Sequence, residues 1–246
     1  MWMDRFRSWN KGCGMLAALV GMAGVAGSAS AWAQAVPQTA LDRALARVDL
    51  SVNGMGEFTK SVRGTNYQGV TFSEKPSTTL GALVTLRYTA KPLLGFEANY
   101  GYARYTVRFT DYNPQPVDAS NPTGLLNSGD GYLSGGGAQT KATELTFGYV
   151  AHGPTLLGYR SFASGGVGSY IFTPTTYGGQ GLPQQVRPLY YYDVGLEGNV
   201  LGSSHFGLRA QFRQKFYTAP DFGQNYLQIR KTTYSAEPGI GFFVRF

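Results

Sequence analysis

The last residues of the chain alternate strictly between two kinds of side chain. In steps of two back from the end, the first set is Phe246, Val244, Phe242, Ile240, Pro238, Ala236, Tyr234 and Thr232. The interleaved set is Arg245, Phe243, Gly241, Gly239, Glu237, Ser235, Thr233 and Lys231. Because successive residues of a strand point to opposite sides of a sheet, the pattern predicts one apolar face and one face of charge and glycine. Such a strand suits a transmembrane barrel with its apolar face outward. The alternative is a buried edge strand of a soluble sandwich.

Seven further segments show similar strand patterns. They cover residues of about 47–58, 78–89, 93–109, 140–151, 159–172, 189–200 and 205–217. In the third segment the apolar positions change parity after Tyr102, so that Tyr105, Val107 and Phe109 fall on the other face. A β-bulge near Arg104 would return these three side chains to the apolar face. The fifth segment is rich in glycine, and its pattern does not settle which face is which.

The connections between these segments alternate between long and short. Long ones cover residues of about 59–77, 110–139, 173–188 and 218–229, and short ones 90–92, 152–158 and 201–204. Outer-membrane barrels combine short periplasmic turns, long outer loops and an even number of strands. We therefore predict an all-β fold, an eight-stranded antiparallel up-and-down transmembrane β-barrel with both termini in the periplasm. A soluble lipocalin-like barrel is the alternative, and it would need its apolar face inside.

Aromatic residues are expected to gather at the outer rim of this barrel as a girdle. The predicted members are Tyr100, Tyr102, Tyr105, Tyr170, Phe172, Tyr190, Tyr192, Phe216 and Tyr234.

The beginning of the chain predicts export. Arg5, Arg7 and Lys11 precede an apolar run over residues 15–26, and Ala31-Trp32-Ala33 fits the small-x-small cleavage rule. We predict a signal peptide over 1–33, a short periplasmic segment over 34–46 and the barrel domain over 47–246. The location predicted is the outer membrane of a Gram-negative-type bacterium.

Composition favours a lipid environment over water. Charged residues make up 14% of the chain, against roughly 25% in soluble domains. The formal net charge of +7 falls to +5 when the predicted signal peptide, with three bases and one acid, is removed. This excess suits anionic outer-membrane lipid such as lipopolysaccharide. The bases are scattered along the sequence without a cluster or motif, which gives no case for a nucleic-acid partner.

Two resemblances add to this interpretation. Gly241, Val244 and Phe246 resemble the terminal assembly signal of outer-membrane barrels, although Ile240 stands where that signal has a polar residue. This resemblance implies the barrel assembly machinery as a partner. The layout of strands and loops resembles the small eight-stranded outer-membrane barrels, the family of outer-membrane protein A transmembrane domains.

Charged residues on the inward faces predict the register of one hairpin. Asp193 and Glu197 are four residues apart, as are Arg209 and Arg213. Opposed residues of an antiparallel pair have a constant index sum, and Glu197 with Arg209 and Asp193 with Arg213 both give 406. We predict a luminal ion-pair network from these two pairs, extended by Glu144, Glu237 and Lys215, which blocks a continuous water path.

Catalytic signals are weak. Ser203, Ser204 and His205 contain the residue types of an activated nucleophile, but they are adjacent on a predicted turn. We expect no catalytic residue, no cofactor and no metal. The function predicted is a structural or surface-interaction barrel with an extracellular ligand at the long loops. A narrow channel for small solutes and an outer-leaflet lipid-modifying enzyme remain the alternatives.

Overall fold

The computed structural model describes residues 39–65, 71–111, 137–179, 181–200, 203–222, 229 and 231–246. The predicted signal peptide lies outside these residues. The chain divides into two units, Met1–Ala46 and Arg47–Phe246. In the first unit, helix α1 (Ala40–Leu45) begins at a capping box, in which Thr39 and Asp42 satisfy each other's backbone N–H groups. No helix of the described residues is long and apolar enough to cross a membrane.

The second unit contains ten strands in the described residues. They are β1 (Val48–Thr59), β2 (Val62–Thr65), β3 (Thr71–Pro76), β4 (Thr79–Lys91), β5 (Leu94–Asp111), β6 (Gly137–Leu156), β7 (Tyr159–Pro174), β8 (Gln185–Asn199), β9 (Phe206–Thr218) and β10 (Thr232–Arg245). Eight of them close into an antiparallel barrel in the order β1-β4-β5-β6-β7-β8-β9-β10, and β10 returns to β1. The predicted fold class is confirmed.

The start of β1 and the end of β10 lie at one end of this barrel, which we call the terminal end. The strand ends that lead into the long connections lie at the other, the loop end. At the closure, Asp49 pairs with Arg245 and Val52 with Phe242. Apolar side chains such as Val52, Leu86 and Phe242 are exposed on the exterior. Arg209 and Arg213 are 0% exposed inside. A barrel with ionised groups inside and an apolar exterior excludes the lipocalin-like alternative.

The first long connection contains two strands that the sequence analysis did not predict. Strands β2 and β3 form a hairpin in which Val62 pairs with Glu74, and β3 pairs with β5, Pro76 opposite Val107. Strand β3 thereby continues the barrel wall along β5 beyond the start of β4 at Thr79. Its buried residues alternate, since Phe72 and Glu74 face inward.

The β-bulge predicted near Arg104 is wrong. The ladder between β5 and β6 runs without a break from Leu94 opposite Ala151 to Arg108 opposite Gly137. Tyr105, Val107 and Phe109 consequently point into the barrel and are buried. Irregularities occur instead between Tyr88 and Lys91 and between His152 and Thr155, both beside short turns. The prediction failed because it assumed that every apolar side chain of a barrel strand must face lipid.

The prediction of the aromatic girdle is wrong in part, because it also assumed that every aromatic side chain of these strands faces lipid. Tyr105, Tyr170 and Phe172 face the lumen and are buried. Tyr100, Tyr102, Tyr190, Tyr192 and Tyr234 are exposed on the outside.

Glycine residues on β6 and β7 make room for a luminal tyrosine of β8. Gly148 pairs with Gly166, and a Cβ added at Gly148 would lie 2.2 Å from the hydroxyl of Tyr191. Any larger residue would displace this tyrosine. The β6–β7 turn uses Leu157 and Gly158 with φ of 52° and 84°, the left-handed pair typical of a tight type I′ hairpin.

Candidate functional site

The lumen is the candidate site, and its charged groups fill the part nearer the terminal end. Strands β8 and β9 pair Glu197 with Arg209 and Asp193 with Arg213, the index sum expected from the sequence. Arg209 Nη2 lies 3.0 Å from Glu197 Oε2. The second pair is looser, with 3.8 Å between Arg213 Nη1 and Asp193 Oδ2.

Glu197 links two arginines from opposite sides of the barrel. Arg87 Nη1 donates to Glu197 Oε2 at 3.1 Å, and Arg87 also binds Glu97 at 2.9 Å. Arg209 also binds Asp49 at 2.9 Å. Both guanidinium groups lie against the ring of Phe162, at 4.5 Å for Arg87 and 5.5 Å for Arg209. Arg209 also lies 5.4 Å from the ring centre of Phe243. Each arginine therefore contacts two carboxylates and at least one aromatic face, and a buried charge requires such partners.

A second group of charges surrounds Lys215 nearer the middle of the barrel. Its Nζ lies 3.4 Å from both Glu57 Oε1 and Glu144 Oε2, and it contacts Glu237 directly. Arg213 also contacts Glu144 and stacks 3.8 Å from the ring centre of Tyr191. The structure thus brings Glu144, Glu237 and Lys215 together with the β8–β9 charges.

Apolar side chains fill the lumen toward the loop end. Tyr170 joins the two layers, because its hydroxyl donates to Glu57 at 2.6 Å while its ring packs 4.5 Å from Phe172 and 4.9 Å from Tyr217. The cluster above it, here called the outer plug, consists of Val62, Phe72, Tyr105, Val107, Phe109, Ala138, Ala142, Tyr170, Phe172, Leu182, Leu189, Tyr217, Ala219, Phe222 and Ile229.

These two layers leave little free volume in the lumen. A cavity of about 20 Å³ lies beside Glu57, Glu144, Lys215 and Glu237, and about 10–15 Å³ is enough for one water. A continuous aqueous passage would expose the groups that line it. Arg213, Ser235 and Phe172 are instead 0% exposed.

One carboxyl group is isolated inside the outer plug. Glu74 is buried, and neither of its oxygens has a hydrogen-bond partner among the described residues. Burial raises the pKa of Glu74 well above its usual range. Asp221 adds to this rise in pKa, while Arg187 opposes it.

Sequence reasoning missed four residues of the luminal charge network, Asp49, Glu57, Arg87 and Glu97. Asp49, Arg87 and Glu97 stand at inward positions of β1, β4 and β5, and they pair directly across neighbouring strands, Asp49 with Arg87 and Arg87 with Glu97. The index-sum argument used for β8 and β9 applies equally to these three residues. It was not applied because the inward charges on these strands do not repeat at a spacing of four.

Comparison with known proteins addresses the fold. No family model matches the chain, and no curated protein matches it. The outer membrane protein OprG from Pseudomonas aeruginosa is similar in structure, with a TM-score of 0.52 and 12% identity over 81% of this chain and 95% of that one. The match to Neisserial surface protein A (NspA) also covers 81% of this chain and 97% of that protein, at 12% identity and a TM-score of 0.48.

The chain has the fold of a small eight-stranded outer-membrane β-barrel. Its apolar exterior, closed wall and polar interior are those of a barrel in the outer membrane of a Gram-negative-type bacterium.

The predicted assembly signal lies at the closing strand of this barrel. Gly241 faces inward opposite Asn53, and a Cβ there would lie 2.1 Å from the Val52 carbonyl oxygen. Val244 pairs with Leu50, and Phe246 is exposed just beyond β10. The role of these three residues in assembly stays a prediction.

The serine and histidine of the β8–β9 turn make structural contacts. Ser203 Oγ accepts hydrogen bonds from the backbone N–H groups of His205 and Phe206, each at 3.2 Å. The His205 ring contacts the Arg245 carbonyl oxygen at 3.0 Å. Ser203 thus caps a turn. In the described part of the chain no group of three or more His, Cys, Asp or Glu side chains could hold a metal ion.

Proposed function

We propose that this outer-membrane barrel has a structural or surface-interaction role, in which a rigid and non-conducting wall carries the long outer loops toward an extracellular partner. The observation that supports the proposal is the filling of the described lumen by two layers of side chains, the luminal charge network and the outer plug. A pore needs a continuous wet path, whereas an eight-stranded barrel has an interior that side chains can fill.

The extension of the wall supports the display of loops. The β2–β3 hairpin continues the wall along β5 as far as Asp111. Buried aromatic residues such as Phe109 and Phe222 pack edge to face inside this extension, with ring centres 6.4 Å apart. The loop end therefore has a core of its own, which holds the loop bases in fixed positions.

Planar-bilayer recording tests the closed lumen. Purified and refolded wild-type protein should give no stable single-channel steps. A matched pair of variants makes the result specific: Phe172→Ala removes a ring from the outer plug, while Val167→Ala shortens an exterior side chain on the same strand. Stable steps from the wild type would refute this proposal and favour the narrow channel.

Loop display has its own test. Replacing residues 112–136 with a short glycine-serine turn should leave barrel folding intact and abolish adherence of expressing cells to surfaces that the wild type recognises. Unchanged adherence after each long loop has been replaced in turn would contradict a surface-interaction role. Altered lipid A mass on expression would favour the lipid-modifying enzyme.

A further inference from the structure

The carboxylates of the described strands all lie on one side of the barrel wall. Every Asp and Glu on a strand whose side chain the structure describes points inward, namely Asp49, Glu57, Glu74, Glu97, Glu144, Asp193, Glu197 and Glu237. The exterior of the described wall therefore carries no carboxylate on its strands. An ordinary solvated surface has both signs interspersed, so that its bases find acidic neighbours.

Four exposed bases gather on one part of this exterior, near the loop end. They are Lys75 on β3, Arg104 and Arg108 on β5, and Lys141 on β6. They form two directly opposed cross-strand pairs, Lys75 with Arg108 and Arg104 with Lys141, and the two members of each pair are far apart in sequence. We call these four residues the basic patch. The sequence analysis described the bases as scattered, and pairing of the strands is what assembles them.

The two cross-strand pairs are unfavourable in isolation. Like charges directly opposite each other destabilise a sheet, since their Cβ atoms are only about 4.5–5.5 Å apart. Among the described residues, Lys75, Arg108 and Lys141 contact no carboxylate, and Arg104 donates only to the side-chain oxygen of Gln139 at 2.9 Å. An anion between the paired cations would turn this repulsion into attraction.

A groove beside Arg104 offers a place for such an anion. The regular pairing with β5 is interrupted between the end of β3 at Pro76 and the start of β4 at Thr79. There the Ser77 backbone N–H donates to the Thr106 carbonyl at 2.9 Å, and Thr79 Oγ1 donates to the Arg104 carbonyl at 2.7 Å. This break in the wall leaves an open groove of about 240 Å³. It is lined by Ser77, Arg104, Tyr105, Thr106 and Gln139, and the Tyr105 side chain itself points into the barrel.

The position of the patch indicates the source of the anion. Tyr100 and Tyr102 precede Arg104 on the same outward face of β5 and are exposed. Two residues of a strand span roughly 7 Å. Exposed tyrosines of a barrel mark the membrane interface, so the patch lies just beyond the hydrocarbon, at the level of lipid headgroups.

We propose that the basic patch binds the phosphorylated headgroup of lipid A, the anchor of lipopolysaccharide, with a phosphate held between Arg104 and Lys141 beside the groove. The proposal rests on the outer-membrane location and is independent of what the loops bind. Arg104 supplies a planar fork that suits phosphate oxygens, and Lys141 adds a point charge.

Retention of lipid A in nanodiscs tests the site. Wild type and variants are refolded into phosphatidylcholine discs doped with diphosphoryl lipid A, and the lipid retained by the protein is measured by native mass spectrometry. The variant is Arg104→Gln with Lys141→Gln. Its control is Arg47→Gln with Lys91→Gln, which removes two exposed bases at the terminal end. We expect about a 30-fold loss of affinity in the variant and none in the control.

Melting temperature supplies a second measurement, in which the variant should differ from the wild type in opposite directions without and with lipid A. In discs of phosphatidylcholine alone, the Arg104/Lys141 variant should melt at or above the wild-type temperature, because a repulsive pair has been removed. With lipid A present, the wild type should gain more in melting temperature than the variant. A variant that merely folds poorly would melt lower in both lipids.

Two further probes identify the chemistry. Lipid A without its phosphates should be retained equally by the wild type and the variant. This result would assign the contact to phosphate. Inorganic phosphate alone should not raise the melting temperature; if it does so as strongly as lipid A, the site binds free phosphate and the lipid assignment is wrong. Equal lipid A retention by wild type and variant would overturn the proposal.

Discussion

Lys215 offers the sharpest test of how the luminal charge network stabilises the barrel. Its ammonium group lies 3.4 Å from carboxylate oxygens of Glu57 and Glu144 and contacts Glu237. In a Lys215→Met variant, Glu144 keeps Arg213, and Glu57 keeps the Tyr170 hydroxyl at 2.6 Å. Glu237 loses the only base that contacts it among the described residues. Because this leaves a buried carboxylate uncompensated, we expect a loss of about 3–5 kcal/mol in the free energy of unfolding.

A double-mutant cycle separates the ion pair from the loss of packing. Glu237→Gln alone should cost about 1.5–3 kcal/mol, the range for a hydrogen bond to a charged group. In the double variant the unpaired carboxylate is gone, so its cost should be smaller than the sum of the two single costs by on the order of 1–3 kcal/mol. The assay is urea unfolding of the protein refolded into phosphatidylcholine vesicles, followed by circular dichroism and by the heat-dependent shift on gels.

The control for this cycle is Lys231→Met, which changes an exposed lysine just before β10. We expect it to stay within about 0.5 kcal/mol of wild type. Additive costs for Lys215→Met and Glu237→Gln would mean that the contact contributes no coupling. The argument for a tightly paired lumen would then be wrong.

Three further changes probe other parts of the molecule. Phe172→Ala should cost about 3–5 kcal/mol in urea unfolding, because it removes a fully buried ring, and Val167→Ala on the exterior should cost far less. Deleting Phe246 should lower the outer-membrane fraction of the protein without lowering its synthesis, as measured by fractionation and surface proteolysis; an unchanged distribution would show that the terminal residue is not needed. Burial raises the pKa of Glu74 above its usual value of 4.5, so the unfolded state loses this proton first and wild-type stability should fall as the pH rises above about 4.5. Glu74→Gln should remove that part of the pH dependence and stabilise the barrel at neutral pH, whereas parallel pH profiles for the two proteins would contradict the burial argument.

Alternation and loop length predicted most of this fold because both are local properties. A period of two assigns faces without knowledge of the partner strand, which is why Asp193 and Arg213 could be placed inward and opposite each other from the sequence alone. The β2–β3 hairpin was missed because its strands are only four and six residues long. They also lie within a stretch that is polar overall, so their alternation was weak.

The basic patch could not be predicted in the same way. Lys75 and Arg108, like Arg104 and Lys141, become neighbours only once the registers of β3, β5 and β6 are known. A sequence shows a cluster of charges only when it is local. Here the four bases come from three different strands, and only Arg104 and Arg108 are close in sequence.

Strand β5 was predicted wrongly because its apolar residues change from the outer to the inner face of the barrel along the strand. At Phe96 the exterior is apolar and Glu97 faces a charged lumen, whereas at Arg108 the exterior is basic and Phe109 packs in the outer plug. Within the membrane, apolar side chains on the outer face contact lipid and need not be buried inside the protein. Charged side chains can therefore fill the lumen at this level. Beyond the membrane the wall meets water on its outside, and the hydrophobic effect again drives apolar side chains inward. Strand β5 therefore keeps one unbroken register with β6 while its two faces exchange polarity near Arg104. The exposed tyrosines give way to the basic patch at this level.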